Sequence, residues 1–252
     1  MSIIAKYIGM SFKKNFTYRL NWIMVVLDTL FSCFSIWLFW RSLMELDIHI
    51  PGWNSDSIQM FIGFSLISKA VANLTVGDYD IQRHITEGTL DNILVKPVNS
   101  VLFILLDRLD FLQFFVMFAA GLGCVFFHCP AERMGYGVVA VIISVVATLT
   151  VYLVDVMIFI GAFWLKRTDS MADIYLTIAS IREYPLVFLD KKLLTVFTYV
   201  IPLVYVGTIP TEVVAGGVRI QELATVFGLF FLALFLVNGL WKLGRRRYES
   251  TN

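Results

Sequence analysis

Charge is what this chain has least of. Asp, Glu, Lys and Arg together make up 15% of its 252 residues, and 58% are hydrophobic. Soluble chains average about 25% charged and roughly 45–50% apolar. So few charged groups cannot solvate the surface of a globule of this size, which excludes an ordinary cytosolic enzyme and a disordered chain. Cysteine is also scarce, with only Cys33, Cys124 and Cys129. An odd count in apolar settings argues against a disulfide framework, although Cys124 and Cys129 are close enough in sequence to be joined. An excess of basic charge is missing too. Lys and Arg number 20 against 19 for Asp and Glu, and no basic patch stands out to meet a nucleic acid.

The motifs of several chemistries are absent. There is no G-x-x-x-x-G-K-[ST] phosphate loop, no G-x-G-x-x-G after a strand, no H-E-x-x-H and no C-x-x-C. His49, His84 and His128 are spread over both sides of the membrane in the topology derived below, so they share no site. His128 and Cys129 are neighbours, but two donors are short of the roughly four that a closed metal site needs. No Ser/His/Asp set sits at one depth, which leaves a membrane-embedded hydrolase without a constellation. No cofactor is implied.

Long apolar runs are what the chain does have. Residues 20–40, 58–77, 101–127, 136–165 and 223–243 each reach or exceed the roughly 20 residues that cross a bilayer. The third and fourth are longer than needed, so they tilt or continue beyond the membrane. Residues 168–221 are harder. Leu193 to Ile209 is uncharged, but Pro202 interrupts it and Pro210 ends it, while Ser170 to Leu189 carries Asp173, Arg182 and Glu183. Two readings stand. In one, 168–190 is amphipathic and cytosolic and 191–210 spans. In the other, 171–188 begins the span and 190–210 is a broken or re-entrant segment near the outer face. The first is preferred; each adds one crossing. The expectation is an all-α polytopic protein of six transmembrane helices, with 1–252 as a single domain.

Orientation follows from the positive-inside bias. With both termini in the cytosol, 16 of the 20 Lys and Arg residues fall on that side; Arg41, Arg133 and Arg219 fall outside, and Lys69 lies within a span. The first 17 residues mix Ile3, Ile4, Tyr7, Ile8, Met10 and Phe12 with Lys6, Lys13 and Lys14. That composition suits an interfacial helix on the cytosolic leaflet better than a helical lead-in to the first span. It does not read as a signal peptide, because no small-residue cleavage site follows the first apolar run.

Three ionisable residues interrupt the spans: Asp28, Lys69 and Asp155. Charges in hydrocarbon are costly and face the bundle interior, a partner or water. Counted at about 1.5 Å per residue from the cytosolic ends, all three lie near mid-membrane. Lys69 is therefore expected to pair with Asp28, Asp155 or both. A pair that fixes helix register is favoured over a translocation or proton path. Phe111, Phe114, Phe115 and Phe118 form an aromatic stripe, read as packing or lipid-facing surface rather than a substrate wall.

The most informative segment is the cytosolic loop 78–100. Ile81, Ile85, Leu90, Ile93 and Leu94 recur among polar residues, Gly88 marks a break and Pro97 a stop. The pattern predicts a short amphipathic helix reaching about Val95, with an apolar face exposed to a partner groove.

Here the chain resembles a family. Glu87-Gly88-Thr89-Leu90-Asp91-Asn92-Ile93-Leu94-Val95-Lys96-Pro97 is similar to the E-G-t-L-d-x-l-L-x-(K/R)-P signature of ABC-2-type permeases, the membrane subunits of ATP-binding-cassette exporters. Phe16-Thr17-Tyr18-Arg19 resembles the family's aromatic-Tyr-Arg stretch before span 1. Trp241, Gly244, Tyr248, Glu249 and Ser250 match its W-x-x-G-x-x-x-Y-E-S ending. Tyr184-Pro185, Pro202 and Pro210 match the proline-marked stretch before the last span. The resemblance implies a multi-pass permease of a bacterial plasma membrane that is not itself an enzyme. ATP and magnesium would be bound by a separate cytosolic ABC ATPase. A second permease chain, identical or similar, would complete the path. Arg83, Glu87, Gly88, Leu90, Asp91, Leu94 and Pro97 would form the coupling helix. The alternative is an ATP-independent carrier or channel relaying through Asp28, Lys69 and Asp155. A carrier would often show inverted repeats, and none is visible.

Overall fold

The computed structural model describes residues 8–9, 12–13, 19–45, 52–74, 78–107, 109–165, 170, 173–174, 177 and 180–248. Among these the fold is all-helical, with no β-strand. Ten helices are numbered here in chain order. They are α1 (Arg19–Glu45), α2 (Ser55–Leu74), α3 (Asp78–Thr86), α4 (Asp91–Leu94), α5 (Ser100–Asp107), α6 (Phe111–His128), α7 (Met134–Ile160), α8 (Lys191–Tyr199), α9 (Thr208–Gly216) and α10 (Ile220–Arg245). Five are long and apolar enough to cross a membrane: α1, α2, α6, α7 and α10. Of the proposed N-terminal interfacial helix, Ile8, Gly9, Phe12 and Lys13 are helical, and the rest lies outside the described residues.

α2 and α7 form the centre. Phe61, Phe64 and Ile67 of α2 and Ala140, Ile143 and Ala147 of α7 are at most 1% exposed. α6 reaches α2 through glycine. A Cβ on Gly63 would sit 2.6 Å from Val125 Cγ2 and 2.9 Å from the Gly121 carbonyl oxygen. One on Gly121 would sit 2.7 Å from Ile67 Cγ1 and 2.8 Å from the Gly63 carbonyl oxygen. Small residues that let backbones approach are the usual basis of helix packing in lipid, where dispersion replaces the hydrophobic effect. α10 lies along the later half of α7, where Ala233, Val237 and Trp241 pack with Tyr152, Val156, Phe159 and Ile160. α1 is the least embedded. Val25, Thr29 and Trp40 face inward, while Leu20, Ile23, Leu30, Phe31 and Phe34 stay exposed, a surface that only lipid or another apolar surface can cover. Hydroxyls within the spans turn back to their own helix: Thr29, Thr148 and Thr150 each donate to the carbonyl four residues earlier at 2.8 Å. The aromatic stripe divides. Phe118 packs on the core and stacks on Phe114 with centroids 5.1 Å apart, while Phe115 is exposed.

Two expectations are corrected. The apolar run 101–127 is two helices: α5 ends at Asp107, and Asp110 caps the start of α6. Its carboxylate accepts from the Gln113 backbone N–H at 3.1 Å, and its own N–H donates to the Leu74 carbonyl at 3.2 Å. The second correction concerns 168–221. Among the described residues, no helix between Phe163 and Ile220 is long enough to cross. Residues 170, 173, 174, 177, 180 and 181 are helical and lead to Glu183, which reaches into the bundle. The chain then continues as a turn at Leu186–Phe188, α8, a turn at Leu203–Tyr205, and α9. Pro202 cannot supply a backbone donor, so α8 and α9 cannot fuse into one helix. The freed groups find partners elsewhere. Ser144 donates to the Val206 carbonyl at 2.5 Å, Leu186 N–H donates to Thr208 Oγ1 at 3.2 Å, and Arg133 donates to the Val214 and Ala215 carbonyls. So 191–210 is not the single spanning helix of the preferred reading but a broken segment, as in the other one. The three cysteines are free.

The glycine contact gives a direct test. Gly63→Val should destabilise the protein by about 1–3 kcal/mol through overpacking against α6. Gly123→Ala, with nothing within 4 Å of its added Cβ, should be silent. Thermal unfolding of both variants in nanodiscs measures the difference.

Candidate coupling surface and intramembrane charge cluster

The loop 78–100 folds against its own chain. α3 ends at Thr86. Gly88 then takes φ +70°, a left-handed turn that favours glycine, and α4 follows. The turn is tied by Glu87 N–H to the Arg83 carbonyl at 2.9 Å and Leu90 N–H to the His84 carbonyl at 3.1 Å. His84 Nδ1 and Thr89 Oγ1 share a hydrogen bond of 2.7 Å. The expected single helix is thus two short ones hinged at Gly88.

The apolar residues do not project into the cytosol, as the sequence pattern suggested. Ile81 and Leu90 are fully buried and Ile93 is 5% exposed, in one cluster with Val101, Phe103 and Ile104 of α5, Phe159 and Ile160 of α7, and Trp241 of α10. Leu94 and Ile85 pack on the same cluster. The physical reason is that the ends of α7 and α10 are themselves apolar and supply the cover. What remains exposed is Arg83, Thr86, Glu87, Asn92, Val95, Pro97 and Asn99. Arg83 lies 3.6 Å from Asp80 and 3.9 Å from Glu87. Of the expected coupling residues, then, Arg83, Glu87 and Pro97 lie on the surface, Gly88, Asp91 and Leu94 are half-buried, and Leu90 is core. Val95, 82% exposed, is the apolar residue this surface does offer, and sequence reasoning passed over it as a helix end.

The C-terminal motif explains why the platform stays in place. Trp241, Gly244 and Tyr248 surround the Phe163 ring. Its centroid is 5.4 Å from the nearer Trp241 ring and 6.2 Å from that of Tyr248. A Cβ on Gly244 would meet Phe163 Cδ2 at 2.2 Å and Cγ at 2.8 Å. The buried Tyr248 hydroxyl faces the backbone N–H groups of Leu90 and Asp91. Burial first, and the Asp91 carboxylate second, push its pKa above the ordinary tyrosine value, so it stays a neutral phenol. Trp241 and Gly244 share a face of α10 at i, i+3, and the turn after Arg245 brings Tyr248 to the same ring. Nearby, Lys96 Nζ sits 3.9 Å from the Phe103 ring centroid, and Phe12 packs edge-on to Phe111 at 5.5 Å.

The intramembrane charges are arranged differently from the expectation. Lys69 Nζ pairs with Glu183 Oε1 at 2.9 Å, not with Asp28 or Asp155. Glu183 was missed because it stands in the polar stretch assigned to the cytosol; an acidic residue flanked by Ile181 and Tyr184-Pro185 was the available signal. Asp28 accepts from Gln113 Nε2 at 3.4 Å. Asp28, Lys69, Gln113, Arg182 and Glu183 line one cavity of about 460 Å³ between α1, α2, α6 and the 180–183 segment. Asp155 is 2% exposed on α7 and does not line this cavity, so the three expected charges are not one cluster.

These features define a polytopic helical membrane protein with a self-packed platform on one side and a charged cavity among its helices. The sequence profile described as ABC-2 family transporter protein matches residues 26–252, so the chain belongs to that family. No curated protein and no solved structure matches it.

Two outcomes are expected here. Tyr248→Ala or Gly244→Ala should free residues 87–94, raising their hydrogen–deuterium exchange by at least tenfold, while Tyr248→Phe, which keeps the ring, should leave most of the protection. Lys69→Met strands Glu183 and should lower stability. Adding Glu183→Gln should restore it, with a coupling of about 1 kcal/mol in a double-mutant cycle.

Proposed function

We propose that this chain is the permease subunit of an ABC exporter, driven by a separate cytosolic ATPase and working with a second permease chain. The observation that carries the reading is family membership over residues 26–252, joined to a platform at the helix ends too well packed to be a mere connecting loop. In this reading six spans cross the membrane with both termini in the cytosol. The fifth begins with the helical residues 170, 173, 174, 177, 180 and 181 and is completed by the broken segment through α9. Moving Lys191 and Lys192 off the cytosolic side, and Arg182 into the span, leaves the basic residues biased 13 to 5 toward it.

Coupling works by rigid contact. The ATPase meets Arg83, Glu87, Val95 and Pro97. Leu90 and Ile93 do not touch it but fasten the platform to α7 and α10. Closure of an ATPase pair on nucleotide pushes the platform, and the helices it is fastened to move with it as a two-state rigid body. Magnesium and ATP stay on the partner. The carrier alternative loses support, because its three relay residues are not gathered in one cavity.

Affinity purification of the tagged chain from its native cell should retain a vanadate-sensitive ATPase whose sequence carries a phosphate loop. Val95→Glu combined with Glu87→Lys should reduce its recovery at least fivefold with unchanged thermal stability, since both side chains are exposed. Leu90→Arg is not diagnostic, because it would disrupt the chain's own core. Substrate transport by the purified chain without any ATPase would refute the proposal.

A further inference from the structure

We infer that the platform end of α10 is a docking site for an anionic glycerophospholipid, which lies along the helix with its phosphate among Lys242, Arg245 and Arg246. These three side chains stand together. Arg245 and Arg246 follow Lys242 by three and four residues, the spacing that brings helix side chains to about 5–6 Å at Cβ. Arg246 caps the helix and keeps helical dihedrals, φ −72° and ψ −18°, so the spacing holds to the end. Arg247 follows in the turn, and all four residues are exposed. None of the four side chains has a hydrogen bond or an ion pair with another described residue. Like charges at this spacing repel. The C-terminus of a helix carries the equivalent of roughly half a negative charge, which leaves most of the cluster uncompensated.

The same face of α10 continues as hydrocarbon. Phe231, Phe235, Lys242 and Arg246 stand at i, i+4, i+11 and i+15, on one side of the helix, and both phenyl rings are exposed. Leu232, Leu236 and Leu243 are exposed beside them. Phe235 to Arg246 is eleven residues, about 16 Å. That is the depth of one leaflet in a hydrocarbon core about 30 Å thick. The buried residues of these turns, Val237, Trp241 and Gly244, face the other way, toward α7 and Phe163. One face of α10 therefore holds the platform, and the cations stand on another.

Charge and apolarity together select the occupant. A soluble acidic partner would neutralise the cations but could not cover Phe231 and Phe235. A zwitterionic lipid covers the rings but brings a cation of its own to the cluster. A phosphodiester without a cation meets both requirements, and its oxygens accept the paired N–H groups of an arginine. Clusters of Lys and Arg just beyond a membrane span attract anionic lipid in general, and this one adds a lipid-facing aromatic column in register with the charges. The inference does not rest on the export reading, since it needs neither an ATPase nor a second chain.

The test uses the full chain purified in dodecyl maltoside and native mass spectrometry, with dioleoyl phosphatidylglycerol and dioleoyl phosphatidylcholine as the probes. The first phosphatidylglycerol is expected to bind at least fivefold more tightly than the first phosphatidylcholine. The triple substitution Lys242→Gln, Arg245→Gln, Arg246→Gln should bring the two lipids within twofold of each other. Lys191→Gln combined with Lys192→Gln, an exposed basic pair on α8, should keep the preference. Arg246→Gln alone should lower the preference by about half, which reads the site even if the triple variant fails to fold. Glycerol 1-phosphate in hundredfold excess should not displace phosphatidylglycerol; displacement would mark a site for free phosphate and overturn the inference. Equal affinity for the two lipids in the wild type would overturn it too. So would a triple variant of native thermal stability that keeps the full preference.

Discussion

The contact between Gly63 and Gly121 is the constraint on which the rest depends. It allows α6 to lie against α2 at backbone distance, with carbonyl oxygens and amides where side chains would otherwise stand. Lipid gives helices no hydrophobic reason to associate, so this dispersion contact does the work that burial does in water. Its consequence is that α2 becomes the central helix and every residue on it must be accommodated by protein. Lys69 is the awkward one. An ammonium held inside the bundle needs a carboxylate, and Glu183 supplies it at 2.9 Å. The unusual course of 168–221 follows. The chain must bring an acidic residue to the depth of Lys69, which a continuous hydrophobic helix would not do.

The platform shows the same logic in water. An amphipathic pattern says which residues want burial but not what buries them. For Ile81, Leu90 and Ile93 the cover turned out to be the chain's own Phe159, Ile160 and Trp241. The aromatic cradle of Trp241, Gly244 and Tyr248 around Phe163 closes this arrangement, and Tyr248 touches the backbone of the very turn that Gly88 creates. Two sequence motifs some 150 residues apart are therefore the two sides of one structural joint. Their shared presence has a packing explanation independent of any partner.

Much of the fold was legible in the sequence. Helices α1, α2, α7 and α10 were read from runs of uncharged residues, because in hydrocarbon length and apolarity decide. Asp110 was not read as a break because a single N-cap has little weight against 27 apolar-biased residues, yet its side chain caps a new helix there. The burial of Leu90 was not legible, since periodicity gives a face and not its neighbour. The partner of Lys69 was also misassigned. Asp28 and Asp155 were counted by depth alone, which ignores azimuth around the helix axis, and Asp155 points into the α7 core at 2% exposure while Asp28 opens on the cavity. Glu183 was set aside because a polar stretch was equated with the cytosol.

The distribution of packing also says where motion can enter. The platform helices α3 and α5 pack with the ends of α7 and α10, so a push on Val95 or Glu87 is delivered to those two spans. α1 has no share in that cluster. It meets the bundle through Val25, Thr29 and Trp40, with Cys33 and Ile36 half-buried beside them, and much of its remaining surface is exposed. The cavity lined by Asp28 lies between α1 and the rigid α2–α6 pair, so its far wall is the most weakly held helix of the chain. A displacement of α7 and α10 relative to α2 changes the setting of Glu183 and Lys69 before it disturbs the glycine contact, because a salt bridge across a cavity tolerates ångströms that a backbone contact does not.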